Sequence, residues 1–440
     1  MYTEFEQINK ANIMINSLCI FKNLKNDSVL LKYKTLLKYL NNKEISAEEC
    51  IGFYTDFVYE ILNKSNGRSL KRYIIDMIFL DDNSFTKIID GQNLCDKLIL
   101  NQVYYELNAL QYISSVESSL IKDAIIIKGN VQEFEKDIVK SLMDFDFDLE
   151  YNISNKAIDK LKLSILNCDN WGDSLERILE FYNQYGTGVF GEYKAFVWEY
   201  EDGTPYLRGI ESPDPVRLGD LVGYEYQKEI IIDNTKQFLN GYQANNILLY
   251  GSRGTGKSST VKAIINEYYD EGLRLIEVDK NKLCDFTRII RILRGKNLKF
   301  IIFVDDLVFE EGEASYSALK TILEGGIENR SSNILIYATT NRKHLVKETF
   351  SERSGDDVHS NDTIEEKLSL ADRFGMTVSF YSPDQKEFLK IIDRAAEARG
   401  IKVEKEYLHA EALKWVRWYN ARSPRTAIQF INWLEGTLNK

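Results

Sequence analysis

The sequence has few cysteines and histidines and no long hydrophobic run. The five cysteines are far apart without a C-x-x-C spacing, and only three histidines are present, so neither a disulfide framework nor a zinc site is expected. Uninterrupted apolar runs such as Phe300 to Val304 have five residues, whereas a membrane helix needs roughly twenty. The first residues carry no basic and apolar leader. These absences predict a cytoplasmic protein without membrane contact.

Positive charge is also scarce. The 440 residues include 56 Lys and Arg against 67 Asp and Glu, which gives a net charge of -11. A chain-wide basic field that would bind phosphate backbones or anionic lipid is therefore absent, and non-specific nucleic-acid binding is disfavoured, although the total says nothing about a local patch. With 44% hydrophobic and 28% charged residues, the composition is that of a globular protein of two or three domains.

Proline is missing from the first 204 residues, which suits a series of uninterrupted helices. Apolar residues there repeat at the helical spacing i, i+3, i+4, i+7, for example at Tyr33, Leu36, Leu37 and Leu40. We therefore predict an all-helical N-terminal domain over residues 1–185. No fixed repeat period supports a solenoid.

The remainder of the chain predicts an α/β fold. Residues 186–220 contain glycines, alternating aromatics and Ser212-Pro213-Asp214-Pro215, which predicts a linker with a short hairpin. From there strand and helix patterns alternate, and this order implies a parallel sheet with helices on both faces. We predict an α/β core over residues 221–382 and a C-terminal helical lid over residues 383–440.

A phosphate-binding loop is the strongest motif. The apolar strand Asn246 to Tyr250 leads directly into G-x-x-x-x-G-K-[ST], and an amphipathic helix follows. Lys257 would reach the β- and γ-phosphates of ATP, and the Ser258 hydroxyl would bind Mg²⁺. The alternative is a glycine-rich turn without a ligand. The predicted phosphate-binding residues are Gly251, Ser252, Arg253, Gly254, Thr255, Gly256, Lys257, Ser258 and Ser259.

Two carboxylates follow the apolar strand Lys299 to Val304. In P-loop proteins such acids lie beside the phosphate loop, so we assign Asp305 to the metal and Asp306 to the attacking water. Glu310 is a second candidate base, and a solvated strand end is the alternative without a function. Asp306 is one methylene shorter than the Glu that many related ATPases carry, which predicts slow hydrolysis or hydrolysis that depends on subunit closure.

The next strand, Asn333 to Ala338, ends in Thr339-Thr340-Asn341. If this strand lies between the phosphate-loop strand and the acid strand, a polar residue at its tip can share the attacking water with the acid. We predict that role for Asn341. The alternative is a simple turn asparagine.

Several segments together resemble the AAA+ ATPases, and more closely the uncharacterised bacterial AAA+ family DUF815. The similarity extends from about Val216 to Leu434, and the first 185 residues do not contribute to it. It rests on five segments, which are Leu221-Val-Gly-Tyr-Glu-Tyr-Gln227, Ala244 to Gly251, Leu273-Arg-Leu-Ile-Glu-Val278, Tyr337-Ala-Thr-Thr-Asn-Arg342 and Glu365 to Gly375. The family is known as a predicted ATPase without an agreed client.

The resemblance implies roles for four further residues. Arg373 corresponds to the arginine finger that enters the site of a neighbouring subunit, which implies a homo-oligomer such as a hexameric ring. The alternative is an exposed arginine paired with Asp372 or Glu366. Arg425 resembles the second sensor that ties the lid to nucleotide, against a plain surface arginine. Gly223 and Tyr224 fall where related ATPases pack the edge of adenine.

These observations predict a Mg²⁺-dependent ATPase that moves an attached helical domain, which would recognise an unknown protein client. The segment Asp279 to Phe286 lacks the glycine of a polypeptide-threading loop, so a threading unfoldase is disfavoured. Two other functions stay open. One is a nucleotide-dependent switch or assembly scaffold with little turnover. The other is a DNA-associated loader ATPase, which fold-level analogy favours and the charge of -11 opposes.

Overall fold

The computed structural model describes residues 2–41, 46–91, 95–128, 131–147, 156–309, 314–324, 331–342, 373–419 and 422–438. The chain folds into two compact units, residues 1–192 and residues 193–440. The boundary lies seven residues after the predicted end of the helical domain. Among the described residues, no helix combines the length and the apolar character that crossing a membrane requires.

The described part of the first unit is helical, as predicted. The stripe Tyr33, Leu36, Leu37 and Leu40 is fully buried in its core. Local sequence sets the helix starts; Ser46, for example, forms a reciprocal capping box with Glu49. The helices are α1 (Tyr2–Ser17), α2 (Ser28–Leu40), α3 (Ala47–Ser65), α4 (Leu70–Leu80), α5 (Ser84–Asp90), α6 (Lys97–Ser114), α7 (Ser118–Lys128), α8 (Glu133–Ser141), α9 (Ala157–Leu166), α10 (Leu175–Tyr185) and α11 (Val189–Glu192).

The described residues of the second unit form one seven-stranded sheet with the order β2-β1-β4-β5-β6-β3-β7. All neighbouring strands are parallel except the hairpin pair β1 and β2. The strand β6 separates β3 from β5, which confirms the predicted AAA+ arrangement. The strands are β1 (Ala195–Glu201), β2 (Thr204–Gly209), β3 (Asn246–Gly251), β4 (Leu273–Glu277), β5 (Lys299–Val304), β6 (Ile334–Thr340) and β7 (Gly375–Phe380).

The hairpin predicted within residues 186–220 is present, and it extends the sheet instead of standing apart as a linker. β1 pairs in parallel with β4, with Phe196 opposite Ile276. The indole nitrogen of Trp198 donates a 2.9 Å hydrogen bond to Asp285. The ammonium of Lys282 donates to the carbonyl of Trp198 at 3.1 Å. The segment after β4, where a threading loop would be expected, is thus a 3-10 helix (Lys280–Asp285) that is hydrogen-bonded to β1.

Helices cover the sheet and form the lid. The lid has its own core, in which Phe388, Ala412 and Phe430 are fully buried. The helices between the strands are α12 (Glu225–Leu239), α13 (Lys257–Tyr268), α14 (Phe286–Leu293) and α15 (Ala314–Glu324), and those of the lid are α16 (Gln385–Ala398), α17 (Lys405–Tyr419) and α18 (Pro424–Leu438).

Candidate functional site

The phosphate loop connects β3 to α13 at the carboxyl edge of the sheet. Gly251 has a φ of +144°, and a Cβ there would lie 2.0 Å from the Phe380 carbonyl oxygen, so the close approach of β7 requires glycine. Gly256, the N-cap of α13, has a φ of +93°, and a Cβ there would meet open space. The loop and the first turn of α13 therefore turn backbone N–H groups toward a site that suits an anion.

Lys257 is buried at the base of this loop with 7% of its surface exposed. Its ammonium donates to the carbonyls of Gly251 at 2.9 Å and Ser252 at 2.8 Å, and to the Asn341 side-chain oxygen at 2.9 Å. Burial lowers the pKa of Lys257, and the nearby carboxylates of Asp305 and Asp306 oppose that shift. The ammonium is therefore held by three neutral oxygens, which a phosphate could replace with its own.

Ser258 and Asp305 lie together, as a shared metal site requires. The Ser258 hydroxyl donates a 2.6 Å hydrogen bond to the Asp305 carboxylate. A hydroxyl and a carboxylate are oxygen donors of the kind that Mg²⁺ prefers, so the two side chains fit this ion. When bound, Mg²⁺ would neutralise charge on the phosphates beside Lys257.

Asp306 and Asn341 are in direct contact. The Asn341 side-chain amide donates to the Asp306 carboxylate at 2.8 Å, while the Asn341 oxygen accepts from Lys257. Asp306 has a φ of +49°, a left-handed conformation that aspartate tolerates better than most residues. One carboxamide thus joins the ammonium of the loop to the second acid.

Thr339 is a site residue that the sequence analysis missed. Its hydroxyl donates to the Asp305 carboxylate and accepts a 3.0 Å hydrogen bond from the backbone N–H of Asp306. Its carbonyl also accepts from the N–H of Leu307 at 2.7 Å. Asn341 directly follows the end of β6, two residues after Thr339, and alternate side chains of a strand point the same way. That period of two was the available signal.

The lid reaches the phosphate loop through the start of α18. The backbone N–H of Arg425 donates to the Gly254 carbonyl at 3.2 Å, one residue after Pro424 begins the helix. The positive charges of Arg253 and Arg425 further lower the pKa of Lys257, although less than burial does. Both arginines therefore add to the positive potential at the loop.

A cavity of about 370 Å³ extends from the phosphate loop between the sheet domain and the lid. The predicted adenine contacts Gly223 and Tyr224 line it, together with Thr255, Gly256 and, from the lid, Ile391. Burial raises the pKa of Tyr224 to about 12. The hydroxyl of Tyr224 donates to the Tyr381 carbonyl, which fixes the ring at the edge of this space. The cavity suits a flat, mostly apolar group attached to a phosphate at the loop.

Not every predicted residue joins the cluster. Arg373 precedes β7, and the parallel register of β7 with β3 places it at the opposite edge of the sheet from the phosphate loop. Arg373 therefore does not contact the loop of its own chain. Ser259 lies in the first turn of α13 beside the loop. Glu310, the second candidate base, and Asp372, a predicted partner of Arg373, lie outside the described residues.

Curated relatives match only part of this chain. The replication factor C large subunit of Nanoarchaeum equitans is 28% identical over 155 residues, which cover 29% of this chain and 35% of that protein. Replication factor C subunit 3 of Saccharomyces cerevisiae is 27% identical over 150 residues, covering 31% and 41%. The chain thus spans between a third and about two fifths of the length of these relatives.

The solved structures that match include the RuvB Holliday junction branch migration motor of Thermotoga maritima, with a TM-score of 0.36, 20% identity and coverage of 51% of this chain and 66% of that chain. The sequence model of a family described as "Protein of unknown function (DUF815)" matches residues 191–438. Since that match covers more than half of the chain and includes the phosphate loop, the acid pair and the lid, the protein belongs to the DUF815 family.

Proposed function

We propose that this protein is a Mg²⁺-dependent ATPase. The observation that supports this most directly is the connected set of side chains at the carboxyl edge of the sheet. Asn341 bonds both Lys257 and Asp306, and Ser258 bonds Asp305. This set combines a buried cation, oxygen ligands for a metal and a carboxylate that can orient water, which phosphoryl transfer to water requires.

Each side chain has a definite task in this proposal. The loop N–H groups and Lys257 bind the β- and γ-phosphates, and Ser258 and Asp305 hold Mg²⁺. Asp306 orients and polarises the attacking water, with Asn341 fixing the carboxylate. The adenine occupies the cavity lined by Gly223 and Tyr224. Electrostatic stabilisation by groups held in place in this way commonly contributes most of the rate acceleration in such reactions.

The lid can couple the state of the bound nucleotide to a movement within the protein. Arg425 adds positive charge beside Lys257, and its backbone is bonded to Gly254 of the loop. A triphosphate would attract Arg425 more strongly than a diphosphate. The angle between the sheet domain and the lid would therefore differ between the ATP-bound and ADP-bound states. We further propose that Arg373 acts on a neighbouring subunit in a homo-oligomer, and that the helical unit recognises a protein client.

The decisive experiment measures phosphate release from ATP with and without Mg²⁺. Lys257→Ala should lower the rate by about 100-fold or more, because it removes a charge that stabilises the transition state. Lys262→Ala, which removes a half-buried lysine from the same helix, should retain the wild-type rate. Equal rates in wild type and Lys257→Ala would refute the proposal.

A second function is a nucleotide-dependent switch or scaffold with little turnover. The short Asp306 side chain and its bond to Asn341 favour it. Such a switch would bind ATP and oligomerise, and Asp306→Ala would leave its single-turnover rate unchanged. In an ATPase the same substitution should abolish turnover while ATP binding persists. A DNA-associated loader ATPase is a third function, which rests on fold-level analogy and which the net charge of -11 opposes.

A further inference from the structure

A short basic stretch lies within this acidic chain. Residues 280–296 contain six Lys or Arg and a single acid, Asp285, in a chain whose net charge is -11. This stretch includes the bound 3-10 helix after β4 and the helix α14. It lies outside the proposed ATP site, so catalysis does not explain its composition.

Helix α14 buries most of its apolar residues and exposes its two arginines, with Ile292 exposed beside them. Phe286, Ile289 and Leu293 are fully buried against the sheet domain. Arg288 and Arg291 are exposed, as is Arg294 just after the helix end. Arg288 and Arg291 lie three residues apart, which is about 60° around the helix and about 4.5 Å along its axis. We call Arg288, Arg291 and Arg294, with Lys280 and Lys296 beside them, the basic face.

The acid within the stretch is bonded to β1. The Asp285 carboxylate accepts hydrogen bonds from the Trp198 indole and from the Tyr200 hydroxyl, and is thereby turned toward β1. Within the described part of the chain, Arg288 and Arg294 form no ion pair. Two arginines thus face solvent without an opposite charge of their own.

We propose that the basic face binds the phosphate backbone of double-stranded DNA without reading its sequence. Arginine side chains on a rigid helix can each form paired hydrogen bonds with phosphate oxygens. The exposed surface of α14 carries no aromatic side chain, and the neighbouring ring of Tyr200 is held by Asp285 and covered by the Lys282 ammonium, so neither offers unpaired bases a free stacking surface, which favours a duplex over a single strand.

The overall negative charge does not contradict this interface. Charges are screened beyond a distance of about 8 Å at physiological ionic strength, so a phosphate at the basic face experiences mainly the local arginines. Binding should therefore be weak and steeply dependent on salt. This inference does not rest on the proposed ATPase activity, because it concerns a different surface and a different ligand.

Fluorescence anisotropy of a labelled duplex of arbitrary sequence, titrated with the full-length protein at several salt concentrations, tests the proposal. Each phosphate contact contributes about 0.9 to the slope of log affinity against log salt. The variant Arg288→Gln/Arg294→Gln should bind at least tenfold more weakly at low salt, with a slope shallower by about 1.8. The single variants should each lower the slope by about half as much, and they replace the double variant if it fails to fold.

Two further variants control for charge and for position. Arg288→Lys/Arg294→Lys retains the charges and should keep most of the affinity and the slope. Lys386→Gln/Lys390→Gln removes the same charge from exposed positions on lid helix α16 and should bind as the wild type does. The melting temperature of every variant should match that of the wild type, because the replaced side chains are exposed.

Three results would overturn the proposal. The first is a wild type that does not bind the duplex at low salt. The second is equal affinity and slope for the wild type and Arg288→Gln/Arg294→Gln. The third is tighter binding of a single strand of the same length than of the duplex, which would assign the face to another ligand.

Discussion

The backbone N–H of Arg425 donates a 3.2 Å hydrogen bond to the carbonyl oxygen of Gly254. The last helix of the lid is thereby joined to the tip of the phosphate loop without any intervening side chain. A movement of the lid must either break this hydrogen bond or move the phosphate loop with it. A change in the conformation of the loop must likewise act on the lid. In our proposal the contact couples nucleotide binding to the position of the lid.

We expect Gly254→Ala to weaken nucleotide binding by roughly tenfold. Gly254 has a φ of +75°, and a Cβ there would lie 2.9 Å from the Ser423 hydroxyl and 3.2 Å from the Arg425 Cβ. An alanine is strained in this conformation by about 1–2 kcal/mol and would also push the lid away. The measurement is the Kd of a fluorescent ATP analogue. Gly436→Ala in α18, where a Cβ meets nothing, should not alter it.

Thr339→Val should loosen the metal site. The substitution keeps the branched shape and removes the hydroxyl that bonds Asp305 and the N–H of Asp306. We expect Mg²⁺ to tighten ATP binding about 10- to 100-fold less than in the wild type, because losing a hydrogen bond to a charged group costs about 1.5–3 kcal/mol. The readout is the Kd for ATP with and without Mg²⁺. Phosphate release should slow in parallel.

Two substitutions serve as controls for Thr339→Val. Thr339→Ser retains the hydroxyl and should restore the effect of Mg²⁺. Thr340→Val removes an equally buried hydroxyl from the next residue of β6, whose side chain accepts only from the N–H of Arg342 in the described structure. If Thr340→Val and Thr339→Val behave alike, the role of Thr339 is merely structural.

Glu106→Ala should destabilise the helical unit by about 3 kcal/mol or more. Glu106 is fully buried in α6, and its carboxylate accepts hydrogen bonds from three successive backbone N–H groups after α1. Without it the three groups lose a charged acceptor, and the N–H of buried Phe21 remains unsatisfied, at about 1–3 kcal/mol for each bond before any relaxation. Urea unfolding followed by circular dichroism gives the free energy. The three donors are Cys19 at 2.8 Å, Ile20 at 3.0 Å and Phe21 at 2.9 Å.

Glu133→Ala provides the comparison for Glu106. Glu133 lies on α8, with its side chain 88% exposed and paired only with Lys136. An exposed pair contributes less than about 1 kcal/mol, so this variant should unfold close to the wild type. Equal destabilisation by both substitutions would contradict the role assigned to the buried carboxylate.

The second unit should lose stability between pH 10 and pH 12. Burial raises the pKa of Tyr337 from 10.0 to about 12, while Thr235 and Asn234 bond its hydroxyl. Above pH 10 the unfolded chain loses this proton and the folded chain keeps it, so stability is full below pH 10 and falls as pH rises toward 12.

Replacing Tyr337 by phenylalanine should remove part of that fall. A shift of two pKa units corresponds to about 2.7 kcal/mol, so the Tyr337→Phe curve of unfolding free energy against pH should be flatter by up to about that amount. Tyr242→Phe, which replaces a tyrosine that is 71% exposed, should leave the slope unchanged. A wild-type slope in Tyr337→Phe would show that other groups cause the alkaline loss.

Local patterns in the sequence predicted much of this molecule. The spacing of Tyr33, Leu36 and Leu37 indicated a helix, because a helical face repeats every 3.6 residues whatever it packs against. The position of Lys257 after a strand and at a helix start was likewise visible, since glycines and a strand–loop–helix order are local features. The hairpin within residues 186–220 was predicted, but its place was not, because strand pairing with β4 depends on residues far along the chain.

What the sequence determined by itself is the chemistry: an acidic, α/β chain with a phosphate loop, two acids after an apolar strand and a polar residue after the next. Only the tertiary structure decided which of these groups meet. It joined Asn341 to both Lys257 and Asp306, added Thr339, and left Arg373 at the far edge of the sheet. The physical reason is that hydrogen bonds act over about 3 Å. Strand order and register alone bring Asn341 within that distance of Lys257 and Asp306, which are 84 and 35 positions away in the sequence.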